Sequence, residues 1–171
     1  MKKLLAALFL LPAFFCCAQN QIAQLPVLKE GIEQVKPADW LVKKTNTHAD
    51  VYRSADGKDI ILYNGLLKRS FRIQPNVACV DFVNLSNGEQ LLRAVEPEAR
   101  LTINGNNVNV GGLYGQKQKA YLLKEWTDSL KAGARDFQYE GFTVSSMQPY
   151  IKWMPRLWAS NRQQPTGKTL T

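Results

Sequence analysis

Short runs of alternating hydrophobic and polar residues fill the middle of the chain, and turn signals separate them. The turn signals are Asp56-Gly57, Asn64-Gly65, Asn87-Gly88 and Asn104-Gly105. Such pairs tolerate the positive φ that a tight hairpin turn requires. An alternation with a period of two places the hydrophobic side chains on one face of a strand. The pattern therefore predicts an antiparallel sheet built from hairpins.

Two hairpins are predicted from this pattern. The first joins strands at 50–54 and 59–63. The second joins strands at 100–103 and 108–110 through a turn at 105–107. Both have the spacing of strands that are connected directly and pair with their chain neighbours.

Two further strands are predicted between the hairpins, at 67–73 and 78–85, and the segment 90–94 continues the meander. Along 67–73 the side chains alternate between two faces. One face carries Leu67, Arg69, Phe71 and Ile73, and the other carries Lys68, Ser70 and Arg72. Strands of this kind belong to half-buried antiparallel sheets. We therefore predict a mainly β fold, an antiparallel β-sandwich with one short helix.

The helix is predicted at 120–132, where hydrophobic residues recur at spacings of three and four. Trp126 falls on the apolar side of this helix, and we interpret it as a core residue. Gly133 stands where a C-cap glycine would end the helix. A further strand is predicted at 137–144.

Aromatic residues are interleaved with prolines and basic residues after the last predicted strand. Flat rings can stack on the apolar faces of pyranose sugars, because they offer a large apolar surface. We predict substrate-binding roles for Tyr150, Trp153 and Trp158 on this ground. The alternative is that these rings pack against the sheet.

Residues 1–18 have the pattern of a secretory signal peptide. Lys2 and Lys3 form the basic start, 4–15 is the apolar stretch, and cleavage is predicted after Ala18. The apolar stretch is shorter than the roughly 20 residues that a membrane span needs. We therefore expect a secreted or periplasmic protein with no membrane span.

The cysteines at the cleavage region raise a lipoprotein as an alternative, with Cys17 as the lipid-bearing residue. Cys16 cannot take this role, because the bulky Phe15 precedes it and the lipoprotein peptidase needs a small residue there. Cleavage after Ala18 would leave Cys79 as the single cysteine of the mature chain. We interpret Cys79 as a small buried hydrophobic residue, and a reactive thiol is the alternative.

The inventory of reactive residues excludes most familiar catalytic centres. The chain has one histidine, three cysteines and 14 acidic residues. These numbers exclude a histidine-rich metal cluster and a four-cysteine zinc site, and they leave only His48 for a Ser-His-Asp centre. The glycine-rich segment 111–116 lacks the Lys-Ser/Thr pair of a phosphate-binding loop, and we expect its glycines to let the backbone bend sharply. No cofactor and no metal ion are predicted.

A glycosidase needs two carboxyl groups that face each other across a sugar. Two acidic pairs stand close together in the sequence, Asp56 with Asp59 and Glu96 with Glu98. Both are interpreted as solvated loop residues, and no catalytic residue is assigned.

The formal net charge is +8, and part of the excess lies near the C-terminus. The basic residues after Glu140, the last acidic residue, are Lys152, Arg156, Arg162 and Lys168. They are too sparse for a polyanion-binding patch, so we interpret them as solvated surface and predict no nucleic-acid partner.

Several strings resemble the N-terminal β-sandwich region of large secreted bacterial glycoside hydrolases of the α-galactosidase-like kind. The strings are NGLLKRSFRI at 64–73, VDF at 80–82, EQLLR at 89–93 and VGGLYGQ at 110–116. The resemblance runs from about Ala49 to the C-terminus. In that family the sandwich precedes a (β/α)₈ barrel, and the paired catalytic aspartates lie on the barrel. The resemblance thus implies a carbohydrate-related role and a catalytic barrel as partner, and it assigns no catalytic residue here.

We predict three parts of the chain: a signal peptide at 1–18, a lead-in segment at 19–48 and a β-sandwich module at 49–171, cut short at its C-terminal end. The expected function is that of a non-catalytic portion of a secreted glycoside hydrolase that supports or lines a carbohydrate site. The alternatives are a free-standing carbohydrate-binding module and a periplasmic interaction protein.

Overall fold

The computed structural model shows a mainly β chain with a five-stranded antiparallel sheet and two smaller two-stranded sheets. The residues that it describes are 21–29, 31, 42, 48–148 and 167–171. The predicted mainly β, antiparallel fold class is confirmed. The predicted signal peptide lies outside the described residues, and so does most of the lead-in segment. Among the described residues, no helix is long and apolar enough to cross a membrane.

The large sheet is a meander in which every strand pairs with its neighbours along the chain. Its strands are β1 (Asp50–Arg53), β2 (Asp59–Tyr63), β3 (Leu67–Arg72), β4 (Ala78–Asn84) and β5 (Glu89–Gln90). Glycines at positive φ form the turns before β2 and β3, with φ of 70° at Gly57 and 80° at Gly65. These turns confirm the predicted hairpin pairing of the first strands.

A separate hairpin joins β6 (Ala99–Ile103) to β7 (Asn106–Val110). Its turn consists of Asn104 and Gly105, which both have positive φ, as a two-residue turn of this type requires. The strands of this hairpin were predicted, but the turn lies one residue before the expected 105–107.

The described residues from Phe137 to Gln148 contain less regular structure than the pattern predicted. A strand β8 (Val144–Ser146) pairs with β9 (Lys168–Leu170), whereas the predicted strand at 137–144 is wrong over most of its length. Phe137 makes only a single bridge to Val110.

The predicted helix at 120–132 is reduced to a 3₁₀ helix at Lys124–Ser129. The residues on either side, Leu123 and Leu130, have an extended backbone. The N–H of Tyr114 donates to the carbonyl of Lys131 at 2.8 Å, and the N–H of Lys131 donates to the carbonyl of Tyr114 at 2.9 Å. Because these backbone groups bond across to another segment, the α-helix cannot continue through them. Gly133 is therefore not a helix cap.

Trp126 is not a core residue, contrary to the prediction. It is half-buried, and its ring lies 5.4 Å from the exposed ring of Tyr121. Within the 3₁₀ helix the buried residue is Thr127.

Two hydrophobic clusters hold the fold together. The first lies on one face of the large sheet and contains Ile22, Val51, Ile60 and Ile73, with Tyr139, Phe142 and Leu170 packed against it. The second contains Ala78, Val95, Leu113 and Leu130. The first cluster joins the lead-in segment and β9 to the large sheet, because Ile22 and Leu170 belong to those two parts of the chain.

Candidate functional site

The face of the large sheet opposite the first hydrophobic cluster is polar. The alternation along β3 puts Lys68, Ser70 and Arg72 on this face, as predicted. Ser70 is only 5% exposed and Arg72 only 6% exposed, so the polar side of this strand is its more buried side. This burial was not expected, because an alternating strand usually turns its polar residues to solvent.

A cavity of about 560 Å³ lies over this polar face. The strands supply its floor, and the 3₁₀ helix and the turn between β1 and β2 supply parts of its wall. The polar and charged lining residues are Lys29, Ser54, Asp56, Asp59, Lys68, Ser70, Arg72, Asp81, Gln90, Lys124 and Thr127. Apolar lining comes from Leu28, Ile61, Val80 and Leu122, among others.

Arg72 lies in the cavity floor and bonds to three other side chains. Its Nε donates to Asp59 Oδ1 at 2.5 Å, and its Nη1 donates to Asp128 Oδ1 at 2.5 Å. Its Nη2 donates to Thr127 Oγ1 at 3.3 Å. Burial acts to lower the pKa of Arg72, but the hydrogen bonds and charges of Asp59 and Asp128 outweigh it and raise that pKa. Arg72 is therefore a fixed cation that ties β2 and the 3₁₀ helix together.

A second ion pair lies on the same face. Lys68 Nζ is 2.9 Å from Asp81 Oδ2. Gln90 Nε2 donates to Asp81 Oδ1 at 2.5 Å, while Gln90 Oε1 accepts from the backbone N–H of Leu92 at 3.0 Å. Asp81 is thus held by one cation and one amide, and the amide is itself held by the backbone.

Asp56 lies in the turn between β1 and β2, and its carboxylate accepts hydrogen bonds from other groups of the same turn. Asp56 Oδ1 accepts from Ser54 Oγ at 2.5 Å and from the backbone N–H of Lys58 at 3.1 Å. Burial acts to raise the pKa of Asp56, but these hydrogen bonds and the charge of Lys58 outweigh it and lower that pKa. Lys58 also reaches Asp128 at 2.9 Å, so the turn is joined to the 3₁₀ helix as well.

Each member of the two acidic pairs noted in the sequence has a partner of its own. Asp59 lies in β2 and its side chain is 14% exposed, so its interpretation as a solvated loop residue is wrong. Asp56 and Asp59 bond to different groups, as described above. Glu98 Oε2 accepts from Arg69 at 2.7 Å, and Glu96 pairs with Lys119. Among the described residues, no group of three or more potential ligands is placed to hold a metal ion.

Cys79 lies on the opposite face of the sheet from the cavity floor. It is 4% exposed, and burial raises the pKa of its thiol. Arg69 Nε donates to Cys79 Sγ at 3.4 Å, and the guanidinium of Arg69 lies 4.7 Å from the centre of the Phe71 ring. The structure therefore supports the interpretation of Cys79 as a small buried side chain.

The glycine-rich string at 111–116 shapes the loop beside the sheet. Gly111 and Gly112 both have positive φ, and the N–H of Gly112 donates to the carbonyl of Val77 at 2.7 Å. A Cβ at Gly111 would overlap that carbonyl oxygen, and a Cβ at Gly112 would lie 3.0 Å from Cα of Pro97. The expectation that these glycines permit a sharp bend is confirmed.

Gln116, at the end of the same string, joins three stretches of loop. Its Nε2 donates to the carbonyls of Arg93 and Tyr121, each at 3.0 Å. Its Oε1 accepts from the N–H of Val95 at 2.9 Å. This places the segment that precedes the 3₁₀ helix, including the cavity residue Leu122, at a defined position.

The predicted stacking residues Tyr150, Trp153 and Trp158 lie outside the described residues. The cavity over the polar sheet face was not predicted from the sequence. Two sequence features could have indicated the cavity. Polar residues occupy alternate positions of β3, namely Lys68, Ser70 and Arg72, and each flanking strand carries an acidic residue, Asp59 or Asp81.

Comparisons of the chain with known protein families, with curated proteins and with solved structures found no match.

Proposed function

We propose that this chain is a non-catalytic β module of a secreted glycoside hydrolase of the α-galactosidase-like kind, and that it lines or supports a carbohydrate site. The observation that carries the proposal is the cavity over the polar sheet face, in whose floor Arg72 is already paired with Asp59 and Lys68 with Asp81. A site of this kind offers hydrogen bonds without offering a reactive group.

The chemistry of the lining suits a polyhydroxylated ligand. A sugar hydroxyl both donates and accepts hydrogen bonds, so it is matched by neighbouring donors and acceptors. Arg72 and Lys68 are donors only, and the carboxylates of Asp59 and Asp81 are acceptors only. These four side chains alternate in sign across the floor. The ion pairs also hold them in place before a ligand arrives, which reduces the ordering cost of binding.

The size of the cavity fits a small saccharide. Pockets for small ligands range from about 300 to 1,000 Å³. The cavity, at about 560 Å³, lies within this range. It is therefore large enough for a short sugar chain or for the end of a longer one.

The pairing of the acids supports a non-catalytic role. A glycosidase needs two carboxyl groups that face the bond it cleaves. In the cavity floor the Asp59 carboxylate is bonded to Arg72, and the Asp81 carboxylate is bonded to Lys68 and Gln90, so both carboxylates are engaged within the protein.

The strings that carry the family resemblance belong to this part of the molecule. The string at 64–73 contains β3, which supplies the cavity floor, and 80–82 contains Asp81. The string at 110–116 contains the glycines and Gln116 that position the loop before the 3₁₀ helix. The resemblance and the cavity therefore point to the same region, which supports a carbohydrate-related role.

The experiment is a calorimetric titration of the purified chain with galactose and with α-linked galactosides. Glucose and mannose serve as comparison sugars. Ser70→Val replaces the hydroxyl and one hydrogen on Cβ of Ser70, on the cavity floor, by two methyl groups, and it changes no residue of either ion pair. Ser145→Val makes the same change on the exposed strand β8. We expect saturable binding that Ser70→Val weakens about tenfold or more, since one lost hydrogen bond and a steric obstruction act together, and that Ser145→Val leaves unchanged.

A hydrolysis assay with an aryl α-galactoside accompanies the titration, and we expect no turnover by the chain alone. Turnover that disappears in Asp59→Asn would refute the non-catalytic assignment. The absence of saturable binding for every sugar would refute the carbohydrate role of the cavity.

A free-standing carbohydrate-binding module is the second candidate, because the same cavity would serve it. Binding of an oligosaccharide by this chain at micromolar affinity would favour that candidate. Millimolar affinity for single sugars would favour a module that contributes one wall to a larger site.

A further inference from the structure

Most polar side chains in the lining of the cavity are already bonded within the protein. They belong to the two ion pairs of the floor, Arg72 with Asp59 and Lys68 with Asp81, and to Ser54, Asp56, Gln90 and Thr127. In the part of the chain that the structure describes, no such bond occupies the side chains of three other polar lining residues, Lys29, Ser70 and Lys124. These three side chains are therefore the polar groups that the lining leaves to a ligand.

Ser70 lies in β3 and is only 5% exposed, yet its hydroxyl has no hydrogen-bond partner among the described residues. Buried polar groups of proteins are normally hydrogen-bonded. Asp81 lies opposite Ser70 on β4, but one of its oxygens accepts from Gln90 and the other pairs with Lys68. The hydroxyl of Ser70 thus lines the cavity in want of a partner, and a bound molecule can supply it.

Lys29 and Lys124 line the cavity as cations, and neither forms an ion pair with another described residue. Lys124 begins the 3₁₀ helix, and the carboxylate of the nearby Asp128 is already paired with two other cations. Lys29 follows Leu28, whose N–H donates to the carbonyl of Arg53 at 3.0 Å, so the backbone before Lys29 is held beside β1. Each lysine therefore brings to the cavity a positive charge that no carboxylate of the described residues pairs with.

The described lining as a whole has an excess of positive charge. Its cations are Lys29, Lys68, Arg72 and Lys124, and its carboxylates are those of Asp56, Asp59 and Asp81. An ammonium group only donates hydrogen bonds, and a carboxylate only accepts them. Hydrogen bonds between ionised partners are also roughly twice as strong as neutral ones. The groups left without a partner are thus best matched by a ligand that carries an anionic group.

We propose that the saccharide of this cavity is an acidic sugar, whose carboxylate or sulfate ester is bound by the groups that the protein leaves without a partner, Lys29, Ser70 and Lys124. This inference rests on the carbohydrate role proposed above and names the class of sugar. The neutral hydroxyls of the same sugar bond to the paired side chains of the floor, which offer both donors and acceptors.

The experiment compares galactose with galacturonate in calorimetric titrations of the purified chain. The two sugars differ only at the last carbon, where galacturonate carries a carboxylate in place of a hydroxymethyl group. Galactose 6-sulfate is the third ligand, and it distinguishes a sulfate site from a carboxylate site. We expect one of the two acidic sugars to bind about tenfold or more tightly than galactose. This preference is expected to shrink between about 0.02 M and about 0.5 M NaCl, because salt screens the exposed lysines.

The cavity variant combines Lys29→Gln with Lys124→Gln. The matched control combines Lys117→Gln with Lys131→Gln, which removes the same total charge from two exposed lysines that do not line the cavity. Because all four lysines are exposed, both variants are expected to fold like the wild type. We expect the cavity variant to weaken binding of the acidic sugar about fivefold or more, since two exposed charge contacts are lost, and to leave the affinity for galactose unchanged. The control variant is expected to bind every sugar as the wild type does.

Three results would overturn the assignment of an acidic sugar and leave the carbohydrate role in place. The first is galactose that binds as tightly as both acidic sugars. The second is a cavity variant that weakens galactose and the acidic sugar equally. The third is a control variant that loses the preference as fully as the cavity variant, because the preference would then reflect the overall charge of the chain. The absence of saturable binding for every sugar would instead refute the carbohydrate role and this inference together.

Discussion

Replacing Arg72 by methionine tests whether the ion-pair network of the cavity floor stabilises the fold. Methionine keeps most of the length of the side chain and removes the charge and the donors. The guanidinium of Arg72 bonds to Asp59, Asp128 and Thr127, so the substitution breaks all three contacts at once.

The magnitude depends on how well water can replace each lost contact. The side chains of Arg72 and Asp59 are 7% and 14% exposed, so Asp59 is left as a nearly buried charge without a cation. Removing one partner of a buried pair costs about 3–5 kcal/mol. Asp128 is well exposed and keeps Lys58, so it adds little to this cost. We therefore expect Arg72→Met to lower the free energy of unfolding by about 3–5 kcal/mol.

Urea unfolding at pH 7, followed by circular dichroism, measures this change. Arg69→Met is the control on the same strand. The Arg69 side chain is 38% exposed, and it loses the ion pair with Glu98, the hydrogen bond to Cys79 and the contact with the Phe71 ring, so this change is expected to cost about 1–2 kcal/mol. The double variant of Arg72→Met with Asp59→Asn is expected to be less destabilised than the sum of the two single changes by about 1 kcal/mol or more. A loss below about 1 kcal/mol in Arg72→Met, or strict additivity in the double variant, would show that the network does not stabilise the fold.

Three further outcomes are expected. Because the pKa of Asp56 is lowered in the folded state, its contribution to stability is present above its unfolded-state pKa of about 3.9 and is lost as the pH falls through the lower folded-state value; unfolding of Asp56→Asn between pH 5 and pH 2 should therefore show a shallower pH dependence. Gly111→Ala should destabilise the fold more than Gly88→Ala, since both positions have positive φ but only Gly111 would also overlap the Val77 carbonyl; equal melting temperatures would contradict this. The thiol of Cys79 should react with iodoacetamide far more slowly in the native protein than in urea, because it is buried and its pKa is raised; equal rates, measured by mass spectrometry of the peptide that contains it, would contradict the buried position.

The candidate site was only partly visible in the sequence. The alternation that puts Lys68, Ser70 and Arg72 on one face was correctly predicted, but their burial was not. Burial depends on what covers the face, and the covering residues Thr127 and Asp128 lie more than fifty positions away along the chain. The predicted stacking residues Tyr150, Trp153 and Trp158 stay predictions, since they lie outside the described residues.

The predicted helix at 120–132 shows the same limit, because here the local pattern predicted more regular structure than the fold contains. A helical spacing at 120–132 is a weak local preference, and tertiary contacts routinely override it. Here the backbone of Lys131 bonds to Tyr114, so only the stretch Lys124–Ser129 remains helical, in its 3₁₀ form. The bridge between Lys131 and Tyr114 cannot be predicted from the sequence of the segment 120–132 alone.

The strands and hairpin turns of this protein are encoded locally, because side-chain alternation and the positive φ of Asp-Gly and Asn-Gly pairs act within a few residues. The polar cavity is a property of the assembled fold. It needs Asp59 in register with Arg72, Asp81 in register with Ser70, and the 3₁₀ helix folded over them. Pairing and burial together turn a row of ordinary polar residues into fixed donors and acceptors, since charges are held in place only where neighbours replace the water around them.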